Sequence, residues 1–164
     1  RVNRLKNSEL SYTFHGRDVY AYTGAKLASG HITFEEVGPE LSIDEIVEIP
    51  VVETTIGNDF VSGAIDILDV RFGSLWTSIS RDDFYLLNPE FGKRYEVSIY
   101  HEHMLVYQNQ VVYQHSFAEV AIGSPLLYIN SVYRLGIAIN QGSFARAYNV
   151  GTGTNWKIRI RAID

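Results

Sequence analysis

The chain has 164 residues, 46% of them apolar and 20% charged, with a formal net charge of −5. This composition excludes intrinsic disorder and argues against a partner gripped through its phosphates, which needs clustered Lys and Arg. The absence of cysteine excludes disulfides and thiolate metal sites, no apolar run reaches the ~18 residues of a membrane-spanning helix, and no signal peptide is legible. We expect a cytoplasmic protein with one main core that takes an uncharged or cationic ligand and binds neither nucleic acid nor membrane.

Arg1 to Leu10 shows no clear element, and a first residue other than methionine leads us to expect the carboxyl-terminal part of a longer protein. From Thr13 to Gly30, TFHGRDVYAYTGAKLASG crowds His15, Arg17 and Asp18 together where a helix is predicted to begin. Asp18 serves as N-cap, Ala21, Ala25 and Ala28 recur at helical spacing, and Gly30 stands past the end. A loop or second short helix follows from His31 to Leu41, punctuated by Gly38-Pro39. The period then changes from helical to alternating, placing a boundary near Ser42 to Glu48 and dividing the chain into 1–45 and 46–164.

Strands are predicted at Val47 to Thr55, Phe60 to Val70, Tyr95 to Tyr100, Met104 to Tyr107, Leu126 to Ile129, Tyr133 to Ile139 and Trp156 to Ala162. In the second, Val61, Gly63, Ile65 and Ile67 point one way; in the last, Trp156, Ile158, Ile160 and Ala162 oppose Lys157, Arg159 and Arg161. Many short strands in one block indicate a β-barrel or sandwich. The fold class is an α+β fragment, the end of an α/β domain followed by an all-β barrel.

Asp69 shares parity with Val61, Ile65 and Ile67, which would bring a carboxylate out on the apolar face. A turn aspartate bonding backbone amides is the alternative. The run Arg71-Phe72-Gly73-Ser74-Leu75-Trp76-Thr77-Ser78 sets two aromatics around a glycine turn, either as a platform for a planar ligand or as core. Asn130-Ser131 and Asn140-Gln141-Gly142-Ser143 end strands in polar residues, as hairpin turns and caps do or as anion-binding ends do. His101 and His103 share a strand face as a metal site wants, but no third and fourth ligand follows at a recognisable spacing. They are read as solvated strand residues, with no metal. Lys157, Arg159 and Arg161 form the wet face of the last strand, and no phosphate loop, nucleophile elbow or dinucleotide fingerprint occurs.

Taken together, TFHGRD at Thr13 to Asp18, Asp69-x-x-Phe72-Gly73-x-x-Trp76-Thr77, PLLYINS at Pro125 to Ser131 and Asn140-Gln141-Gly142 resemble, in order and spacing, the S-adenosyl-L-methionine hydroxide adenosyltransferases, relatives of the fluorinase and chlorinase enzymes. The resemblance implies a hydrolase that splits S-adenosylmethionine into adenosine and methionine with no cofactor. It also implies an amino-terminal α/β domain before the barrel, and a homotrimer whose sites lie between one subunit's amino-terminal domain and its neighbour's barrel. His15 matches the histidine of the family's Asp-Arg-His triad. The other two members would lie upstream of Arg1, so the charged cluster would face residues this chain does not contain. By the same resemblance Asp69 receives the methionine ammonium and Ser131 the carboxylate. Trp76 and Phe117 hold adenine, Phe72 lines the pocket, the backbone of Asn140 and Gln141 reads the adenine edge, and Phe14 and Gly16 stand beside the reacting ribose carbon.

The chain departs from the pattern in places. Ser74 and Ser78 replace asparagines, which removes amides from the adenine site at Ser74. Val132 and Ile139 stand where the fluorinase has arginines. Halogenases have tyrosine at the position of His15, and the fluorinase has its halide-binding serine at Gly16. Both differences favour water over halide. Halide transfer, a non-catalytic adenosyl-binding module and an interaction domain with wholly structural aromatics are the competing expectations.

Overall fold

A computed structural model of the chain describes residues 3–10, 13–48 and 50–163, which fall into two compact units, Arg1–Glu48 and Ile49–Asp164. In the first, a π-helical turn over Gly16–Ala21 runs directly into helix α1, Tyr22–Ala28. Gly30 ends it at φ 72°, as expected of a residue past a helix end.

Asp18 is not the N-cap. His15 takes that position with helical φ and ψ and no capping hydrogen bond. Asp18 lies inside the wide turn, where its carboxylate accepts from the Arg17 side chain and from Arg4 Nη2 at 3.4 Å. Two guanidinium partners satisfy this carboxylate better than the turn's own amides do, and they hold its pKa below the usual carboxylate range, Arg17 foremost. The Asp18 side chain is inaccessible to water. The charged cluster is thus partnered in part from within the chain, by a residue of the opening segment.

In the second unit the strands are β1 (Thr55–Ile56), β2 (Phe60–Leu68), β3 (Leu75–Ser80), β4 (Arg94–His101), β5 (Met104–Tyr113), β6 (Pro125–Ile129), β7 (Arg134–Ile139) and β8 (Gly153–Ala162). The order β2-β3-β7-β6-β5-β4-β8 closes back on β2, a seven-stranded barrel with no open edge in the ring. β1 shares one edge of β2 with β3, pairing at Val61 and Ser62 while β3 pairs from Ile65 onward. Every pairing in the ring is antiparallel except β5 with β6, whose parallel register sends the intervening chain back along the barrel. Short helices α2 (Arg81–Tyr85) and α3 (Phe144–Tyr148) follow β3 and β7.

Side chains alternate across the barrel wall. Leu127, Leu135, Ile137, Ile158 and Ile160 point inward and are fully buried. Leu126, Tyr128 and Ala138 point outward, where Phe117 and Val120 of the returning segment cover them. On the last strand Arg159 lies over the Phe60 ring and Arg161 pairs with Asp59 at 3.2 Å, so two cations of the basic stripe have partners on the outer face.

Two strand expectations are corrected. Of Val47 to Thr55 only Thr55 enters a strand, because the edge of β2 accepts two residues before β3 takes it over; Ile49 lies outside the described residues. A bulge between Ile65 and Ile67 resets the alternation, so Ala64 and Ile65 are both buried while Ile67 is 50% exposed. Asp69 therefore does not emerge on the apolar face. Leu75 to Ser80, for which the sequence reading gave no strand, is a central strand. Thr77 Oγ1 donates to the Leu135 carbonyl at 2.8 Å and Ser78 Oγ accepts from the Ala64 amide at 2.9 Å, so these buried hydroxyls are satisfied.

Candidate functional site

One end of the barrel gathers the β2–β3 turn (69–74), the loop after β7 (140–143) and the segment around Phe117. The turn is closed by the Asp69 amide on the Ser74 carbonyl at 2.9 Å and the Gly73 amide on the Asp69 carbonyl at 2.6 Å. Asp69 Oδ1 accepts from the amides of Arg71 (2.9 Å) and Phe72 (3.4 Å). Asp69 is thus a turn aspartate in its local bonding, and the turn engages Oδ1 alone. Gly73 has φ 68°, and a Cβ there would lie 2.0 Å from Ser143 Oγ. The turn and the loop meet at this glycine, whose carbonyl takes the Ala145 amide at 3.0 Å.

Asn140 ties the loop to the returning segment. Its Nδ2 donates to the Val120 carbonyl at 2.8 Å, and its backbone bonds both Gly123 and Ser124. Beside it, Gln141 adopts φ 56° and is exposed. A cavity of about 560 Å³ opens between these pieces, lined among others by Asp69, Arg71, Phe72, Phe117, Gln141 and Arg146. Among the described residues neither arginine forms an ion pair, so this mouth holds an acid and two cations beside aromatic faces.

The aromatics continue up the outer wall. Phe72 and Phe117 have ring centroids 6.4 Å apart, Phe117 and Tyr128 5.2 Å, and Trp76 Nε1 donates to the Tyr128 hydroxyl at 3.2 Å. Ser74 Oγ is buried without a well-formed hydrogen bond, yet lies close enough to the Tyr128 phenol to oppose the rise in pKa that burial imposes on it, as Trp76 also does. Sequence reasoning assigned no role to Tyr128 or Arg146. Strand parity opposite Leu127 was the signal that placed Tyr128 on the outer face.

Ser131 is elsewhere. It is exposed in the β6–β7 turn, where Asn130 Oδ1 accepts from the amides of Val132 and Arg134. The registers put this turn at the barrel end opposite Asp69. At least the span of β7 from Arg134 to Ile137 separates them, roughly 10 Å at ~3.3 Å per residue.

Phe14, His15 and Gly16 belong to the first unit. His15 is exposed at a cavity of about 270 Å³ that Asn3, Arg4, Val19 and Tyr20 also line. Phe14 is 57% exposed beneath the Arg17 guanidinium, 4.9 Å from its ring centre. No atom lies within 4 Å of a Cβ built on Gly16, so space within the described residues does not demand glycine there. His101 stacks on Trp156 at 4.4 Å and 10°, and among the described residues no cluster of three or more metal-ligating side chains forms. Nor is any of their helices long and apolar enough to cross a membrane.

Residues 63–157 match the model of the SAM hydroxide adenosyltransferase C-terminal domain. A fluorinase from Actinoplanes sp. is 35% identical over 86% of this chain and 46% of its own length, and one from Actinopolyspora mzabensis 30% identical over 89% and 48%. An (R)-S-adenosyl-L-methionine hydrolase from Thermus thermophilus is 31% identical over 86% and 47%. A crystal structure of an uncharacterized conserved protein from Thermotoga maritima superimposes with a TM-score of 0.65 at 29% identity, over 96% of this chain and 59% of that one. The chain spans about half the length of the curated relatives it matches. It belongs to the SAM hydroxide adenosyltransferase family, and its barrel is that family's carboxyl-terminal domain.

Proposed function

We propose that the full-length protein hydrolyses S-adenosyl-L-methionine to adenosine and L-methionine, with this chain supplying the barrel side of the site and further residues completing it. The observation that carries the reading is the aromatic-lined cavity, with Asp69 at its mouth, inside the segment matching the family model. Water oxygen bonds to the ribose C5′ as the C5′–S bond breaks, the electron pair leaves on sulfur as the neutral thioether, and a proton passes to a base. A sulfonium leaves readily, so alignment of the attacking oxygen and exclusion of bulk water supply most of the acceleration. His15 orients or deprotonates that water, with Phe14 and Gly16 beside the reacting carbon.

Trp76 and Phe117 hold adenine between their faces, Phe72 and Ser74 bound the same space, and the backbone at Asn140 and Gln141 meets the adenine edge. Asp69 Oδ2, which the turn leaves unused, takes the methionine ammonium. Arg146, lining the same cavity, is the nearer partner for the carboxylate. Ser131, the carboxylate partner that the resemblance implies, lies in the turn at the opposite barrel end. The assembly is a homotrimer, with each site shared between neighbouring subunits, and no cofactor is needed.

The full-length gene product incubated with S-adenosylmethionine, with and without chloride, tests this by separation of the nucleosides. Adenosine under both conditions is expected. Chloride-dependent 5′-chloro-5′-deoxyadenosine would instead support halide transfer, the reading that the likeness to fluorinases favours. Unchanged substrate with tight adenosine binding would leave a non-catalytic module.

A further inference from the structure

We infer that Tyr128 is the positioning residue of the adenine clamp, fixing Trp76 through its hydroxyl and Phe117 through its ring, and that Gly136 is the space this requires. The inference rests on the adenosyl reading above. Trp76 pairs with Gly136 across β3 and β7, and Gly136 pairs with Tyr128 across β7 and β6. Residues directly opposite share a face of the sheet, so these three positions form one row on the outer wall.

The two aromatic residues stand two strand spacings apart, roughly 9.6 Å at ~4.8 Å each. A side chain at the middle position would hold them apart. With glycine there the rings lean over the gap and meet, the indole N–H on the phenol oxygen at 3.2 Å. A Cβ on Gly136 would fall 2.8 Å from Tyr128 Cε1 and Cζ and 3.1 Å from its hydroxyl, contacts that force the ring aside. Gly136 does not have a positive φ, so room, not backbone freedom, is what glycine supplies.

The indole nitrogen only donates, and the acceptor it has found selects one orientation of a half-buried ring whose face is offered to the ligand. Phe117 sits in a short 3₁₀ turn outside the strand ladders, and its ring lies 5.2 Å from Tyr128 at 50°. Both walls of the clamp therefore take their position from one side chain, which is itself 9% exposed. Losing the hydroxyl frees the indole to rotate without emptying the space that the Tyr128 ring fills.

The test uses the full-length protein as wild type, Tyr128→Phe and Gly136→Ala. Adenosine affinity is read by calorimetry, KM and kcat with S-adenosylmethionine, and folding by Tm and tryptophan emission. Tyr128→Phe is expected to weaken adenosine about fivefold, the scale of one hydrogen bond. It should raise KM by a similar factor with kcat within twofold, and shift emission to the red as the indole turns to water, while Tm stays near wild type. Gly136→Ala, which displaces the ring that both walls lean on, should weaken adenosine further. Wild-type adenosine affinity and emission in Tyr128→Phe would overturn the positioning role alone, as would a loss of affinity that merely follows Tm. A wild type that binds no adenosyl compound would overturn the adenosyl reading, and this inference with it.

Discussion

Replacing Gly73 by alanine tests whether the cavity mouth is built as described. Two costs add. The φ of 68° places an L-residue in the left-handed region, at about 1–2 kcal/mol. The new Cβ, 2.0 Å from Ser143 Oγ and 2.6 Å from its Cα, then pushes the 140–143 loop away. That strains the Ala145 amide to Gly73 carbonyl bond and the Ser143 cap on the Arg146 amide, about 1 kcal/mol each. Gly92 is the matched control: its φ is 86° but nothing lies within 4 Å of its Cβ, so Gly92→Ala carries the backbone cost alone. Thermal melts should show Gly73→Ala losing about 2 kcal/mol more than Gly92→Ala, roughly 4–8 °C further in Tm for a protein of this size or somewhat larger. Adenosine affinity should fall only in Gly73→Ala, because only that substitution moves the loop beside Gln141. Equal Tm losses in the two variants would refute the close approach of turn and loop.

Asp69→Asn should weaken S-adenosylmethionine about tenfold, on the scale of a lost charge-assisted bond, and leave adenosine, which has no ammonium, unchanged in calorimetry. Arg146→Ala should show the same selectivity and Ser131→Ala little effect; the reverse order would restore Ser131 as the carboxylate partner. The Asp18 carboxyl is held below its ordinary pKa by Arg17 and Arg4, so its stabilisation is present above the unfolded value of about 3.9 and is lost as pH falls through the lower folded value. The Tm gap between wild type and Asp18→Asn should thus be constant near neutrality and close on acidification. Burial pushes Tyr107 up to about 12. A raised pKa gives stability that is complete below about 10 and lost as pH rises toward the folded value, so Tyr107→Phe should flatten the alkaline loss of Tm between those limits.

Local patterns announced much of the architecture. Trp156 to Ala162 displayed its two faces openly, since Ile158 and Ile160 alternate with Lys157, Arg159 and Arg161 and period-two alternation is a property of neighbours in sequence. Gly30 announced the helix end for the same reason, as did the polar stops at Asn130 and Asn140. The order of four short blocks was enough to bring the family resemblance into view.

What the tertiary structure decided concerns partners distant along the chain. The bulge after Ile65 depends on how β2 meets β3, and it turned Ile67 outward and took Asp69 off the core face. Thr77 and Ser78 are buried in a strand because Leu135 and Ala64 satisfy their hydroxyls. Asp18 pairs with its neighbour Arg17, and Arg4, fourteen residues earlier, closes on the same carboxylate. Asp69 and Ser131 were set at opposite barrel ends, and Trp76 was joined to Tyr128 across Gly136, by strand register. Register is settled only when the barrel closes and every backbone amide must find its carbonyl at once, a condition that no single stretch of the sequence contains.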